Sequence, residues 1–474
     1  MKMLLNGEWV DRNQKIEVTD PYDNSTIDTV PSGDEKDVEL ALAAAVRGFE
    51  ITKRMTVYER AQILYKTAQI IKDRLSEFAT IIAREGSKTI TEARKEASRC
   101  VNTMTCSAEE AKRIMGETIP WDSFPGGEKR KGYYYRFPIG VILAITPFND
   151  PLNLVAHKLG PAIAAGNSVI LKPATVTPLS AIMLVEAMLE AGLPPMAIQL
   201  ITGQGSRIGD PLVSDDRVRM ISFTGGVEAG KHITTKAGIK KIGMELGSDS
   251  PVIVWKDADL QMAVESCVSG AFWAAGQNCI GVQRLLVHKK IYDEFKTRFV
   301  ELTKKYKIGD KMKEETNMGP MITESEARRV EDWVKEAVKK GASVLTGGGR
   351  TGALYEPTVL ENVPRDVKVH CEEVFGPTVN LYPIEDDLDK AIKEANSLPY
   401  GLLTAIFTRD IEVAFKAAYE LDCGGVMIND STDYRLDSMP FGGVKNSGLG
   451  REGLKFSLQE MTEPKVICFN LPGI

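Results

Sequence analysis

Apolar residues recur at helical spacing through 36–53, 57–85 and 90–116, so the first part of the chain predicts a layer of amphipathic helices. A short strand-and-turn region precedes it, with turn signals at Asn6-Gly7 and Pro21-Tyr22-Asp23-Asn24. From residue 139 the pattern changes to short apolar runs at 140–146, 168–171, 198–201, 220–223 and 242–246, separated by helix-like stretches. One of these covers 151–165 and is closed by Gly166; the next has Thr177 placed as N-cap, Pro178 at the first helical position and Gly192 beyond its last turn. A second alternation begins at Pro251, with strands at 252–255, 284–288, 379–382 and 403–407 and helices at 259–275, 290–307, 323–340, 386–397 and 410–420. Strands that alternate with helices imply parallel, doubly wound sheets, whose ligands sit at the carboxyl ends of the strands.

The predicted fold class is therefore α/β: two doubly wound domains, 1–127 with 142–247 and 248–444, plus a small β arm formed by 128–141 and 459–474. Gly247-Ser248-Asp249-Ser250-Pro251 has the composition of a linker between the two. The β-rich segments 131–137 and 464–469 fall outside both alternations and are expected to pair with each other or with a second subunit. The 474-residue length leaves room for about three domains.

Charge and composition narrow the function classes. The 59 Lys and Arg are interspersed with 65 Asp and Glu, a net charge of −6 that concentrates neither nucleic acid nor an acidic membrane surface. The longest apolar stretch, 139–148, is broken by Gly140, Thr146 and Pro147 and falls short of the ~20 residues of a spanning helix. At the N-terminus Asn6, Glu8 and Asp11 interrupt the chain before a signal core forms. A cytoplasmic protein with neither membrane nor nucleic-acid partners is expected. The seven cysteines, at 100, 106, 267, 279, 371, 423 and 468, form no Cys-x-x-Cys pair and no zinc-type cluster. Reduced thiols and no metal site are expected, and any special Cys should be catalytic.

Several loops beside the predicted strands carry residues able to do chemistry. The run 220–223 leads into Thr224-Gly225-Gly226 and Gly230, where glycines let the backbone approach a pyrophosphate and a helix N-terminus supplies donors. The spacing is not Gly-x-Gly-x-x-Gly, and a tight turn without a ligand fits it equally. Lys172, after the run 168–171, could hold ribose hydroxyls or a phosphate, or be a solvated strand-end lysine. Thr175 is neutral where a carboxylate would exclude a 2′-phosphate. Cys279 sits in the polar, Gly-bracketed loop Ala275-Gly276-Gln277-Asn278-Cys279-Ile280-Gly281, as a nucleophile when ionised or, as free Cys more often is, an inert core residue. Glu245, between Met244 and Leu246, should lose hydration and have a raised pKa suited to a general base, an exposed hinge Glu being the alternative. Asn149 could donate to an oxyanion or cap a helix beginning at Pro151.

Together, Pro147-Phe148-Asn149, Lys172-Pro173, Phe223-Thr224-Gly225-Gly226, Glu245-Leu246-Gly247, Gly276-Gln277-Asn278-Cys279, Glu373-Val374-Phe375-Gly376-Pro377 and Pro440-Phe441-Gly442-Gly443 resemble the NAD(P)-dependent aldehyde dehydrogenase superfamily, in its order and approximate spacing. The resemblance covers essentially the whole chain. It implies a Rossmann-like cofactor domain, a catalytic domain and an oligomerisation arm, with subunits joined as a homodimer or homotetramer. It also implies that Cys279 attacks an aldehyde carbon, that Asn149 and the Cys279 backbone N–H hold the oxyanion, and that Glu245 activates the water that hydrolyses the thioester after hydride transfer. The implied cofactor contacts are Phe148, Lys172, Thr175, Thr224, Gly225, Gly226, Leu246, Glu373 and Phe375. NAD-preferring members commonly have Glu at the Thr175 position, so NADP is expected, with NAD as the alternative. Coenzyme-A-acylating relatives generally lack the Glu at 245, so water is expected as the acyl acceptor. A non-catalytic cofactor-binding protein on the same fold is the competing class, opposed by intact Cys279, Glu245 and Asn149.

Gly281-Val282-Gln283-Arg284 and the loop 429–439 resemble the branch containing lactaldehyde, sulfolactaldehyde and non-phosphorylating glyceraldehyde-3-phosphate dehydrogenases. This implies a small 2-hydroxy aldehyde, neutral or with a carboxylate or sulfonate tail; a glyceraldehyde-3-phosphate or succinate semialdehyde substrate is the alternative. Arg435 could bind such a tail bidentately or pair with Asp433 or Asp437. Asn153 and His157, four residues apart, would turn one helix face toward substrate, although a core histidine fits equally. Asn278 completes the expected substrate set. Members that grip a phosphate often have Arg just before the nucleophile and another on an earlier helix. Those places correspond here to Asn278 and Thr105, which argues against a phosphorylated substrate.

Overall fold

The computed structural model describes residues 1–471. Its first sheet has eight strands around a parallel centre in the order Ile198–Leu200, Ser168–Lys172, Val141–Ile145, Val218–Thr224, Lys241–Glu245. Antiparallel strands Met3–Leu5 and Glu8–Val10 extend one edge and Gly448–Leu449 the other. Both faces are covered. Ile142, Ala144, Val169 and Leu171 pack against the helices Val57–Asp73, Ile90–Ala111, Asn153–Ala165 and Leu179–Glu190, while Val141, Leu143, Ile170 and Ile221 pack against Glu35–Thr52 and Gly205–Ser214. Two-sided burial is why these strands read as unbroken apolar runs.

The second sheet has seven strands in the order Ser343–Thr346, Thr358–Glu361, Thr378–Ile384, Arg284–His288, Pro251–Val254, Leu403–Phe407, Gly425–Ile428, all parallel except the first. The strand Lys241–Glu245 leaves the first sheet at its carboxyl edge, and Pro251–Val254 enters the second at its amino edge. The five residues between span at most ~18 Å. The carboxyl edge of one sheet must therefore face the amino edge of the other. The fully buried Arg284 pins this link through an ion pair with Asp249 and donates to the carbonyls of Glu394 and Ala395. This geometry corrects the expectation that the chemistry lies only at carboxyl ends: Cys279 and Glu373 precede the strands Arg284–His288 and Thr378–Ile384 and sit at amino ends.

Strand Arg130–Pro138 pairs with Thr462–Asn470 in unbroken antiparallel register, from Arg130 opposite Asn470 to Pro138 opposite Thr462, and Glu117–Thr118 adds a third strand. The two β-rich segments thus pair with each other; 472–474 of the expected arm lie outside the described residues. Val141 belongs to the first sheet rather than the arm, and Gly448–Leu449 with the helix Leu454–Glu460 brings the chain back to it from beyond residue 444. The expected helix 57–85 is two, divided at Arg74. Gly166 closes its helix at φ 90°, as expected.

Thr177 does not cap the next helix. The Leu179 and Ser180 amides donate instead to Glu85, at 2.7 and 2.8 Å, and the Thr177 hydroxyl has no partner. A carboxylate brought by tertiary packing to the positive end of a helix is a stronger acceptor than a local hydroxyl. No helix among the described residues is long and apolar enough to cross a membrane.

Candidate active site

Two cavities, of about 520 and 390 Å³, meet at Cys279 and Asn149, which line both. Asn149 follows the strand Val141–Ile145 and does not cap the next helix. Glu96 of the helix Ile90–Ala111 does so, accepting from the Leu152 and Asn153 amides at 2.9 and 3.0 Å. The Asn149 side chain is left to the cavities.

Cys279 is preceded by Ala274, Ala275 and Gly276 at φ 50°, 56° and 67°. Left-handed backbone costs each alanine about 1–2 kcal/mol, so the loop needs outside support. Glu92 accepts from the Ala274 amide at 3.0 Å, and Gln277 accepts from the Ile322 amide at 2.9 Å. Burial pushes the Cys279 thiol up to about 12, with the positive charge of Arg435 opposing. At neutral pH the thiol keeps its proton until a base removes it.

Glu245 ends its strand in register with Thr224 and lines the smaller cavity, its Oε2 buried without a partner. Burial, reinforced by the charge of Glu452, pushes its carboxyl well above the usual range. Glu452 is buried too, but Lys158 at 2.9 Å and Arg435 at 3.1 Å hold it at about 2. The environment thus drives two neighbouring carboxyls in opposite directions, favouring the protonated form of Glu245 and the ionised form of Glu452.

The smaller cavity opens between the strands Val141–Ile145 and Val218–Thr224, where the order of the first sheet reverses. Phe148, Thr224, Gly225, Gly226, Leu246, Glu373 and Phe375 all line it. The helix Val227–Lys236 begins beside it with no side-chain cap, and the buried Thr224 hydroxyl has no partner. The Glu373 carboxylate lies against Gly247, where a Cβ would come within 2.1 Å of its oxygen. It accepts from the Ser248 amide at 3.0 Å, and burial raises it to about 7. Gln283 clasps both sides of Glu373, donating to the Glu372 carbonyl and accepting from the Val374 amide. Phe375, at φ 45°, meets Phe148 edge to face at 5.6 Å. Lys172 is buried, its Nζ bonded to the Pro173 carbonyl, and burial lowers it to about 8. Thr175 donates to the Gly203 carbonyl, and its neighbour Ala174 reaches the cavity wall in its place. An uncapped helix N-terminus, an orphaned hydroxyl and a carboxylate with a spare oxygen fit a dinucleotide. Among the described residues no cluster of His, Cys, Asp or Glu is arranged to hold a metal ion.

The larger cavity is lined by Asn278, Arg435 and, unforeseen, Arg99. Arg435 pairs with Glu452 rather than Asp433 or Asp437, and its guanidinium lies 3.7 Å above the Phe441 ring. Arg99 pairs with Asp437 at 2.8 Å. Each arginine has a buried Nε without a partner. His157 and Asn153 are absent from the cavity wall. Both are fully buried and bond Asp437, at 3.0 and 3.3 Å, because their helix face turns toward the helix Ile90–Ala111 and the loop 429–439. Thr105 bonds the Val101 carbonyl, and the arginine looked for at its position is supplied by Arg99 instead. Sequence reasoning missed Arg99 because Glu92, Glu96, Arg99 and Thr103 form a polar stripe at helical spacing, which reads as a solvent face. The Thr89-x-x-Glu92 capping box marked where this helix starts but not what its stripe faces.

A thiol on the wall between a second cavity and a crevice with the features of a dinucleotide site is the arrangement expected of a thiol-dependent oxidoreductase. The chain belongs to the aldehyde dehydrogenase family, whose model matches residues 9–467. It is 47% identical over 469 residues to the 3-sulfolactaldehyde dehydrogenase of Priestia aryabhattai, covering 99% of this chain and 98% of that one. The crystal structure of aldehyde dehydrogenase 21 from Physcomitrella patens, in complex with the reaction product succinate, superposes with a TM-score of 0.97 at 42% identity, covering 100% of this chain and 98% of that one. The glyceraldehyde-3-phosphate dehydrogenase GapN of Methanocaldococcus jannaschii, complexed with NADP, superposes at 0.93 with 40% identity, covering 97% and 100%.

Proposed function

We propose that this enzyme oxidises a small aldehyde with a carboxylate or sulfonate tail, of the sulfolactaldehyde type rather than the neutral lactaldehyde type, to its acid, with NADP as the preferred acceptor and water as the acyl acceptor. The observation that carries the substrate reading is the pair Arg99 and Arg435, both lining the cavity at Cys279. Guanidinium groups match a carboxylate or sulfonate in shape and charge. Asn278 spends its Oδ1 on the Ile280 amide and keeps its Nδ2 for a 2-hydroxyl. The 3-sulfolactaldehyde and succinate relatives support an anionic tail. With Arg99 in place, the argument against a phosphorylated substrate rests on Asn278 alone.

In this reading Cys279 Sγ bonds to the aldehyde carbon while its proton leaves to Glu245 or water, and the Asn149 amide donates to the oxygen that gains charge. A bound oxidised nicotinamide supplies the acceptor for the hydride that leaves that carbon. Glu245 then takes a proton from the water that attacks the thioester, and Cys279 departs as thiolate. Lys172 would face the adenosine ribose and its 2′-phosphate, with no carboxylate at Thr175 to repel it. Glu373 would accept from the nicotinamide ribose.

The test is a comparison of succinate semialdehyde with butanal, each with NADP and with NAD, coenzyme A absent. The anionic aldehyde should have the lower KM, and Arg435→Ala should raise that KM by about 10- to 100-fold, the worth of a charged hydrogen bond. Equal KM values for the two aldehydes, or a requirement for coenzyme A, would overturn the proposal.

A further inference from the structure

We infer that Asp437 is a positioning residue that sets the preference for anionic aldehydes by fixing Arg99 and the Arg435 loop in one arrangement. The inference rests on the anionic-substrate reading above. Asp437 lies in the loop 429–439, two residues after Arg435, and its side chain is 4% exposed. Four donors converge on its carboxylate: Arg99 Nη2 at 2.8 Å, His157 Nε2 at 3.0 Å and Asn153 Nδ2 at 3.3 Å on Oδ1, and Asn102 Nδ2 at 3.4 Å on Oδ2. None belongs to the loop itself. They come from the helices Ile90–Ala111 and Asn153–Ala165, which pack on the first sheet, whereas the loop leaves the second sheet after the strand Gly425–Ile428.

The cluster is built rather than incidental. The Thr103 hydroxyl donates to Asn153 Oδ1 at 2.8 Å, which orients the amide so that its Nδ2 meets Asp437. Asp437 therefore does two things with one carboxylate: it sets the direction of the Arg99 guanidinium and ties down the loop that carries Arg435. His157 and Asn153, buried behind the cavity wall, act on substrate through it.

Position and charge predict opposite outcomes, which makes the inference testable. If Asp437 were only a counter-charge to Arg99, its neutralisation would strengthen anion binding; if it positions the arginines, neutralisation weakens it. In Asp437→Asn the KM for succinate semialdehyde should rise by about tenfold. The KM for butanal, the KM for NADP and kcat should move by less than about threefold. Asn102→Ala and His157→Leu each remove one donor and should shift the succinate semialdehyde KM in the same direction by ~2- to 5-fold, a result that stands even if Asp437→Asn does not fold. A lower succinate semialdehyde KM in Asp437→Asn, equal changes for both aldehydes, or no shift in the single-donor variants overturns the inference. A preference that Arg99→Ala and Arg435→Ala abolish but Asp437→Asn retains overturns it alone. The absence of any preference in the unmodified enzyme overturns the substrate reading and this inference with it.

Discussion

Burial pushes both the Cys279 thiol and the Glu245 carboxyl up, and the same two charges act on each: Glu452 adds to the rise and Arg435 opposes it. Cys279→Ala should abolish turnover and leave NADP affinity intact in a fluorescence titration. Glu245→Gln should give a burst of reduced cofactor followed by slow turnover, since it slows hydrolysis more than hydride transfer. A base works only when deprotonated, so with the Glu245 pKa raised the kcat of the unmodified enzyme should keep climbing with pH above the usual carboxylate range. Loss of that limb in Glu245→Gln checks the assignment. Lys172 titrates at about 8 and is charged below that value. The KM for NADP should therefore rise above pH 8 while that for NAD changes little, and parallel profiles would count against a 2′-phosphate contact.

Single helices organise much of this site. From Ile90–Ala111, Glu92 supports the Cys279 loop, Glu96 caps the helix after Asn149 and Arg99 lines the larger cavity. Glu85 plays a comparable part for the helix Leu179–Glu190, accepting from two amides and the Ser180 hydroxyl. Glu85→Ala should cost about 1–3 kcal/mol, the price of leaving buried donors unmet, read as a lower denaturation midpoint with turnover retained at 25 °C. An unchanged midpoint would mean that solvent satisfies those amides. These acceptors were invisible in sequence because each lies tens of residues from the helix it caps. The local candidates, Thr177 and Asn149, were the residues that proximity alone favours.

Across the whole molecule, a net charge of −6 provides no field to draw in an anion, so any selection of one would fall to the local arginines. The three-stranded sheet exposes Tyr135, Val466 and Phe469, and the helix Ile411–Glu420 exposes Ile411, Phe415 and Tyr419. Exposed apolar residues grouped on one element are the expected places for subunits to meet. Light scattering should give two or four times the 52.1 kDa chain mass, and Val466→Asp should lower it. A 52.1 kDa species for the unmodified protein would contradict this.

The sequence by itself determined the α/β alternation and the main motif residues, because strand burial and tight turns at a crevice impose local patterns. Thr224, Gly225, Glu245 and Cys279 stand out as candidates by their neighbours within a few positions, whereas Phe148 and Glu373 come only with the family resemblance. Only the tertiary structure decided that two sheet edges of opposite sense face each other, that Arg99 rather than Thr105 joins Arg435, and that His157 and Asn153 serve Asp437. A stripe of polar residues has the same spacing whether it faces water or a cavity, and what lies opposite it depends on residues hundreds of positions away.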